Sequence, residues 1–407
     1  MSFAITGTGM VTAAGRGAVP AWEALCAGKS FLAPDPGLPE FAPIATARCA
    51  PLDPEALGAD RRAARIMGRQ THMLIAGVAD ALGEAEGTAG DLRGEETAFF
   101  AGMDSVDPGE EDLLAAALAS RGGEGEVDFD KFFSEGMAQV PPLWPLGMLN
   151  AIGFCQAAIQ FDLRGENGTF SPGPEAAARA IIEGAESLRE ERARAALAAG
   201  VSPAISARSV ARYRKRGFLR PAGQETPAGQ GAAALGEGTG VILMEPLEAA
   251  RAGGKTIRGV LRGWARARAL EDSGLPAAIR EAAEGALGAA GIEAGGVDLV
   301  IVHGGGDPEG DSAEAGALSS VFGGGRPLAL ATKGAFGHLL GGSPIVDILL
   351  ALRALAEGAV PPSPGAGEAV RDVLAFPAGS ESAELKTALV LCRGFEGECA
   401  AFALGAA

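Results

Sequence analysis

The chain has 407 residues, 47% of them hydrophobic and 21% charged, with a net charge of −17 and a single tyrosine, Tyr213. That length suffices for one large domain or two ordinary ones with a well-buried core, and the composition is that of a folded chain rather than a disordered one. The acidic balance argues against phosphate backbones and anionic membranes, and the 5% aromatic content argues against a base-stacking platform, so neither nucleic acid nor membrane is an expected partner.

The opening MSFAITGTGMVT lacks a basic segment leading into a long apolar core, so no signal peptide is expected, and no uncharged apolar run reaches membrane-spanning length. SFAITGTGMVTAAG reads as a strand breaking into a glycine turn, followed by a helix from about Val19 to Ala27. RQTHMLIAGVADALGEA is a periodic helix in which His72 is read as structural, and EETAFFAGMDS is a strand ending in a loop. The stretch PLWPLGMLNAIGFCQAAIQFDLRG mixes an apolar helix with proline breaks and is read as buried or interface material. Next comes GTFSPGPEAAARAI, a tight strand-to-helix turn of the kind that presents a nucleophile. Its tip holds Pro172, Gly173 and Pro174, with neither Cys nor Ser there, and Ser171 is placed in the preceding strand, pointing elsewhere.

AALAAGVSPAI is again strand then loop, followed by a basic cluster of Arg212, Arg214, Lys215, Arg216 and Arg220. That cluster reads either as a solvated helix end or as a dock for an acidic partner. GTGVILMEPLEAARAGG is a strand leading into a helix. After Gly253 the pattern begins afresh: strand KTIRGVLRGWARA, helix PAAIREAAEGALGAAGI and buried strand VDLVIVHGGG. A strand, glycine loop and long apolar helix follow in RPLALATKGAFGHLLGGSPIVDILLALRALAEG, and two strands around a loop in LKTALVLCRGFEGECAAFAL. Strands alternating with helices imply an α/β fold with both sheet faces covered, in two similar halves at 1–247 and 248–407.

The five cysteines, Cys26, Cys49, Cys155, Cys392 and Cys399, are odd in number, scattered and without metal-type spacing, which suits free thiols in a reducing cytoplasm. The loops GTGMVTAAG and HGGGDPEG follow strands, but neither is a P-loop or a dinucleotide fingerprint. No cofactor and no metal are expected. His303 and His338 sit at the ends of different strand-and-loop units, where ligands gather in α/β sheets, and Lys333 precedes His338 by five residues.

Several of these stretches together resemble the elongating, acyl-carrier-protein-dependent β-ketoacyl synthases, over essentially the whole chain. The residues that carry the likeness are ITGTGMVTAAGRGAVPAWEALCAGKS, LGEGTGVILMEPLEAARAGG, IVHGGGDPEGDSAEAGALSSVFG and ATKGAFGHLLGGSPIVDILLALRALAEGAVPPSPG. The resemblance implies a thiolase fold, two similar α/β halves in a five-layered αβαβα arrangement, usually dimeric. It matches His303 and His338 to the family's catalytic histidines, Lys333 to its lysine and Asp347 to an acidic residue on the following helix. It matches Pro174 to the nucleophilic cysteine. Proline has no nucleophilic side chain and no backbone N–H to serve as an oxyanion-hole donor, a loss that typically costs ~10²–10³ in rate.

Two further positions depart from the family pattern. Threonines that contact the pantetheine arm are replaced in HGGGD, which leaves Gly304 and Gly305 as the substrate-binding positions there, followed by Asp307. The loop that supplies a second oxyanion donor and a gating phenylalanine reads RGFEGECAA, with Phe395 in the gating position and Glu396 and Glu398 beside it. The resemblance thus leaves three readings. One is a non-condensing partner of an active ketosynthase, of the chain-length-factor type in polyketide or fatty-acid-type biosynthesis. The second is an enzyme using His303 and His338 for malonyl-thioester decarboxylation or other acyl-thioester chemistry. The third is a homodimeric scaffold for acyl groups or carrier protein. Acyl carrier protein is an expected partner, by way of Arg212–Arg220, and the segment from Trp144 to Phe161 is the expected association surface, with Phe154 buried by the partner.

Overall fold

The structure, a computed structural model, describes residues 1–41, 44–65, 67–86, 92–107, 111–219 and 234–407. Ten principal strands form one sheet: β1 (Phe3–Thr12), β2 (Thr97–Met103), β3 (Asn167–Phe170), β4 (Ala195–Val201), β5 (Thr239–Pro246), β6 (Gly259–Arg268), β7 (Leu299–Ile301), β8 (Leu328–Leu330), β9 (Thr387–Arg393) and β10 (Glu398–Gly405). Their order is β8-β7-β9-β10-β6-β1-β5-β4-β2-β3. TAFFAGM and AALAAGV, which form β2 and β4, are buried at every residue, as strands covered on both faces must be.

The sheet repeats itself. From the centre outward, each half runs through two antiparallel pairings (β1/β5/β4 and β6/β10/β9) and then two parallel ones (β4/β2/β3 and β9/β7/β8). The halves join where Phe3, Ala4 and Ile5 pair antiparallel with Leu261, Val260 and Gly259. The sequence border at 247/248 falls at the first residue of a short helix, Leu247–Ala252.

Among the longer helices of the described residues are α1 (Ala18–Cys26), α2 (Arg69–Glu86), α3 (Asn150–Gln160), α4 (Pro174–Arg189), α5 (Ala207–Lys215), α6 (Leu275–Ala290), α7 (Pro308–Phe322) and α8 (Ser343–Glu357). α4 packs on β2 and β4 of one half and on β9 and β10 of the other, and α8 likewise touches β5 and β9. The two half-sheets therefore face each other across α4 and α8, with α2 and α3 outside one and α6 and α7 outside the other. This is the thiolase-like five-layered αβαβα arrangement. α8 is apolar on almost every side because it is enclosed on every side, and it stops at Gly358, whose φ of 58° closes the helix in the left-handed region.

Between β2 and β3 the structure departs from the sequence reading. Phe154 is 5% exposed and stacks on Phe99 with ring centroids 4.5 Å apart, so it belongs to the protein's own outer core and not to a partner surface. The helical period decides this, since α3 turns Phe154 inward toward α2 and β2 while Ile159, five residues on, is 75% exposed. Replacing Phe154 with alanine is expected to lower the unfolding free energy by about 3–5 kcal/mol, the usual cost of deleting a buried aromatic ring. Denaturant unfolding followed by circular dichroism checks this, and a loss below 1 kcal/mol contradicts the packing.

Candidate functional site

The elbow is built as the turn in GTFSPGPEAAARAI requires. β3 ends at Phe170, and Ser171 lies just beyond it, where its hydroxyl accepts a 3.0 Å hydrogen bond from the Asn150 amide; it is exposed and not part of the strand. Gly173 caps α4 at φ 90°, a conformation that strains any residue with a Cβ. Pro174 follows at the first helical position, where its missing N–H leaves no helical bond unmade and its fixed φ suits the helix. Close to Gly173 lies Asp104, a fully buried carboxylate just past β2 that accepts from the Tyr213 hydroxyl at 2.8 Å and the Ser105 N–H at 2.7 Å, while its second oxygen is buried without a hydrogen-bond partner. Burial pushes Asp104 above its ordinary range even so.

His303 and His338 come together from the two loops that follow β7 and β8, with their Nε2 atoms 3.3 Å apart. His338 Nδ1 accepts from the Leu340 N–H at 2.9 Å, and His303 Nδ1 accepts from the Arg393 N–H at 3.2 Å. With both Nδ1 atoms spent as acceptors, each neutral ring carries its proton on Nε2, and two donors converge on one point. Burial, Lys333 and then Arg393 hold both imidazoles well below their ordinary pKa, so neither is charged at neutral pH. Lys333 is itself buried against Asp347 at 3.2 Å, and Asp347 accepts from the Thr332 hydroxyl at 2.5 Å. An acceptor oxygen placed at the paired Nε2–H groups would be stabilised as it gained negative charge.

Arg393 occupies the space beside them. Its guanidinium pairs with Asp307 at 2.5 Å and lies 3.8 Å from Asp311. A Cβ at Gly310 would come within 2.0 Å of that guanidinium, and one at Gly305 within 2.9 Å. The glycines are thus what lets Arg393 lie down against the histidine loop. The loop is pinned from the other side by buried Glu314, whose carboxylate accepts from the His303 N–H at 2.6 Å and the Gly304 N–H at 2.9 Å. The cavity lined by Gly304, Gly305, Lys333 and His338 holds only about 10 Å³, roughly the volume swept by a single water.

Phe395 packs 6.4 Å from His338, 5.3 Å from Phe218 and 5.7 Å from Tyr213, between centroids. It also lines a separate cavity of about 250 Å³ with Pro172, Gly173 and Glu175. Three arginines of the basic segment around it have partners, while Lys215 and Arg216 stay exposed. Arg212 pairs with Asp107 at 2.7 Å, Arg216 with Glu396 at 3.1 Å, and Arg214 donates to the Phe41 carbonyl at 2.9 Å; Arg220 lies outside the described residues. His72, on α2, is far in sequence and in the fold from the paired histidines and is held below its ordinary pKa by burial.

Comparison with known proteins follows this geometry. Residues 2–250 match the family described as "Beta-ketoacyl synthase, N-terminal domain" and residues 259–366 match its C-terminal domain. The chain belongs to the β-ketoacyl synthase family. It is 26% identical to "Putative polyketide beta-ketoacyl synthase 2" of Streptomyces coelicolor, over 98% of this chain and 94% of that protein. It is 30% identical to erythronolide synthase EryA3 of Saccharopolyspora erythraea over 66% of this chain, but spans only 9% of that much longer protein. Among solved structures, a β-ketoacyl synthase from Burkholderia phymatum superposes with a TM-score of 0.83 at 21% identity, covering 100% of this chain and 99% of the other. The ishigamide ketosynthase/chain length factor superposes at 0.81, also at 21% identity and with the same coverage. Among the described residues no helix of this ketosynthase-family chain is long and apolar enough to cross a membrane.

Sequence reasoning missed Asp104, Glu314, Arg393 and Glu175. An acid directly after a fully buried parallel strand, as in AGMDS, is a signal for Asp104, because strand ends face the site. Glu175 follows Pro174; burial pushes its carboxyl up to about 7, with Glu398 and Asp104 adding to the rise and Arg216 opposing it. Its Oε2 is buried without a hydrogen-bond partner. The fold therefore favours protonated Glu175, and the protein loses stability as pH rises from about 4.5, where the unfolded chain ionises, through about 7. Glu175→Gln is expected to stabilise the protein by about 1–3 kcal/mol at pH 8 and by almost nothing at pH 4.5. Unfolding measured at both pH values checks this, and an equal effect at the two contradicts it.

Proposed function

We propose that this chain is a non-condensing, ketosynthase-like subunit of a polyketide-type synthase, acting in a pair with an active synthase. The observation that carries the proposal is Pro174 at the head of α4, the position that the sequence resemblance matches to the family's nucleophile. It can form no acyl thioester and donates no N–H. Arg393 supports the same reading, since, paired with Asp307, it takes up the room that Gly305 and Gly310 leave beside the histidine loop. So does the ketosynthase/chain length factor among the structural neighbours, a pairing of the kind proposed here. We take the two halves as 1–247 and 248–407.

The association surface is the free edge of β3 with the apolar residues beside it. Among the described residues β3 pairs only with β2, whereas the opposite edge at β8 is covered by a bridge from Leu328 to Ala375. Phe133, Leu143, Leu149 and Ile159 all stand exposed in the segment that precedes that free edge. Ile159→Asp is expected to leave the chain folded and to abolish co-purification with an active synthase, or self-association if the partner is a second copy. Retained assembly in that variant overturns the surface.

Two experiments test the function. No acyl group from an acyl-thioester probe should appear on residues 171–175 by mapped mass spectrometry. Pro174→Cys alone should give no β-ketoacyl product above background, because residues that act as a unit are not restored singly. A labelled elbow, or a condensing single variant, overturns the reading. The converging Nε2–H groups of His303 and His338 favour a second reading, malonyl-thioester decarboxylation, which carbon dioxide release by the chain alone would reveal.

A further inference from the structure

A far roomier hollow than the one at the histidines lies beside the elbow helix. On the other side of α4, between its first two turns and the ends of β6 and β10, lies a cavity of about 310 Å³. None of Pro174, His303, His338 or Lys333 lines it. Its volume is at the lower end for small-molecule sites, which are mostly apolar with a few convergent polar groups.

Its floor is apolar, with Ala178 and Ile182 of α4 facing Ala400 of β10. Its charged lining is three arginines and one further acid besides Glu175, Glu398, so cations outnumber carboxylates there. Arg179 comes from α4, and Arg266 and Arg268, two residues apart on β6, project from one face of that strand. Among the described residues Arg266 and Arg268 have no ion pair and no hydrogen bond, and Arg179 only overlies the Phe170 ring at 5.2 Å. In register Arg268 stands across from Glu398, yet the two form no ion pair. Unpaired guanidiniums are conspicuous in a chain with a net charge of −17, where carboxylates are plentiful. At the inner end is Glu175, whose buried Oε2 has no partner. A buried polar atom left without a partner is costly, and a ligand that supplies a donor removes that cost.

We propose that this cavity binds an amphipathic anion: a short apolar chain on the Ala178–Ile182 floor, its carboxylate or phosphate held by Arg266, Arg268 and Arg179. Guanidinium forks match both head groups, in bidentate fashion where geometry allows. A hydroxyl or amide N–H on the chain would reach Glu175. The proposal rests on the cavity alone and stands whether or not the chain pairs with an active synthase.

The test uses the full chain and isothermal titration calorimetry with octanoate, octyl phosphate and octanol. Saturable one-to-one binding of at least one of the two anions, with octanol at least tenfold weaker, is expected. The better anion identifies the head group. Arg266→Ala/Arg268→Ala should weaken that anion at least tenfold while leaving the thermal unfolding curve unchanged, since both side chains are exposed. Ala400→Leu, which fills the floor, should weaken octyl and butyl compounds unequally, with the longer chain losing more. If the double variant proves unstable, Arg179→Gln gives the same reading from the exposed face of α4. Absence of saturable binding by both anions at millimolar concentration overturns the proposal, as does octanol binding as tightly as the anions or binding that survives loss of both arginines.

Discussion

The arrangement depends on the burial of two helices between two sheets. α4 and α8 have sheet on both sides, so their positions are fixed by packing from both halves of the chain at once. Both have proline in the first turn, Pro174 in α4 and Pro344 in α8, and each is the next long helix after an outer strand, β3 or β8. Their N-termini therefore come to a common region with no freedom left to drift. The elbow and the histidine loop are near one another because the helices behind them cannot move apart.

Around that point the side chains form a closed set of charges. Lys333 is answered by Asp347, Arg393 by Asp307 and Asp311, and the backbone of the histidine turn by Glu314. Two neutral imidazoles sit between these pairs, kept neutral because burial and two nearby cations all act in the same direction. Removing one member of such a buried pair leaves an uncompensated charge, so the network is held together by the cost of breaking it as much as by its attraction. Arg393 gives this network its particular character. It takes up room that two glycines vacate, and it leaves almost no open volume at the histidines, while the larger cavities lie on either side of Glu175.

Much of this was legible in the sequence where local chemistry decides the outcome. The buried strands announce themselves as continuous apolar runs, and the elbow by Gly173 and Pro174, residues whose backbone preferences leave few alternatives. His303, His338 and Lys333 were marked as a group by their places after strands, and the structure brings all three together. Phe154 was misplaced because an apolar helix flanked by prolines reads alike whether a ring points to its own core or to a partner; only α2 and β2 packing on one face distinguishes them. The basic segment read either as a solvated helix end or as a dock for an acidic partner, and local order gave no sign that Arg212, Arg214 and Arg216 have partners at Asp107, the Phe41 carbonyl and Glu396, far apart in sequence.

The sequence by itself determined the α/β class, the doubled pattern and the Gly173–Pro174 turn before α4, because each follows from residue type and local order. Only the tertiary structure decided that Asp104 accepts from the Tyr213 hydroxyl, that Arg393 lies against Gly305 and Gly310, and that Glu175 separates two cavities. Those contacts join residues tens to hundreds of positions apart, and no local preference of either partner specifies the other. They exist because the two half-sheets close on the same pair of helices.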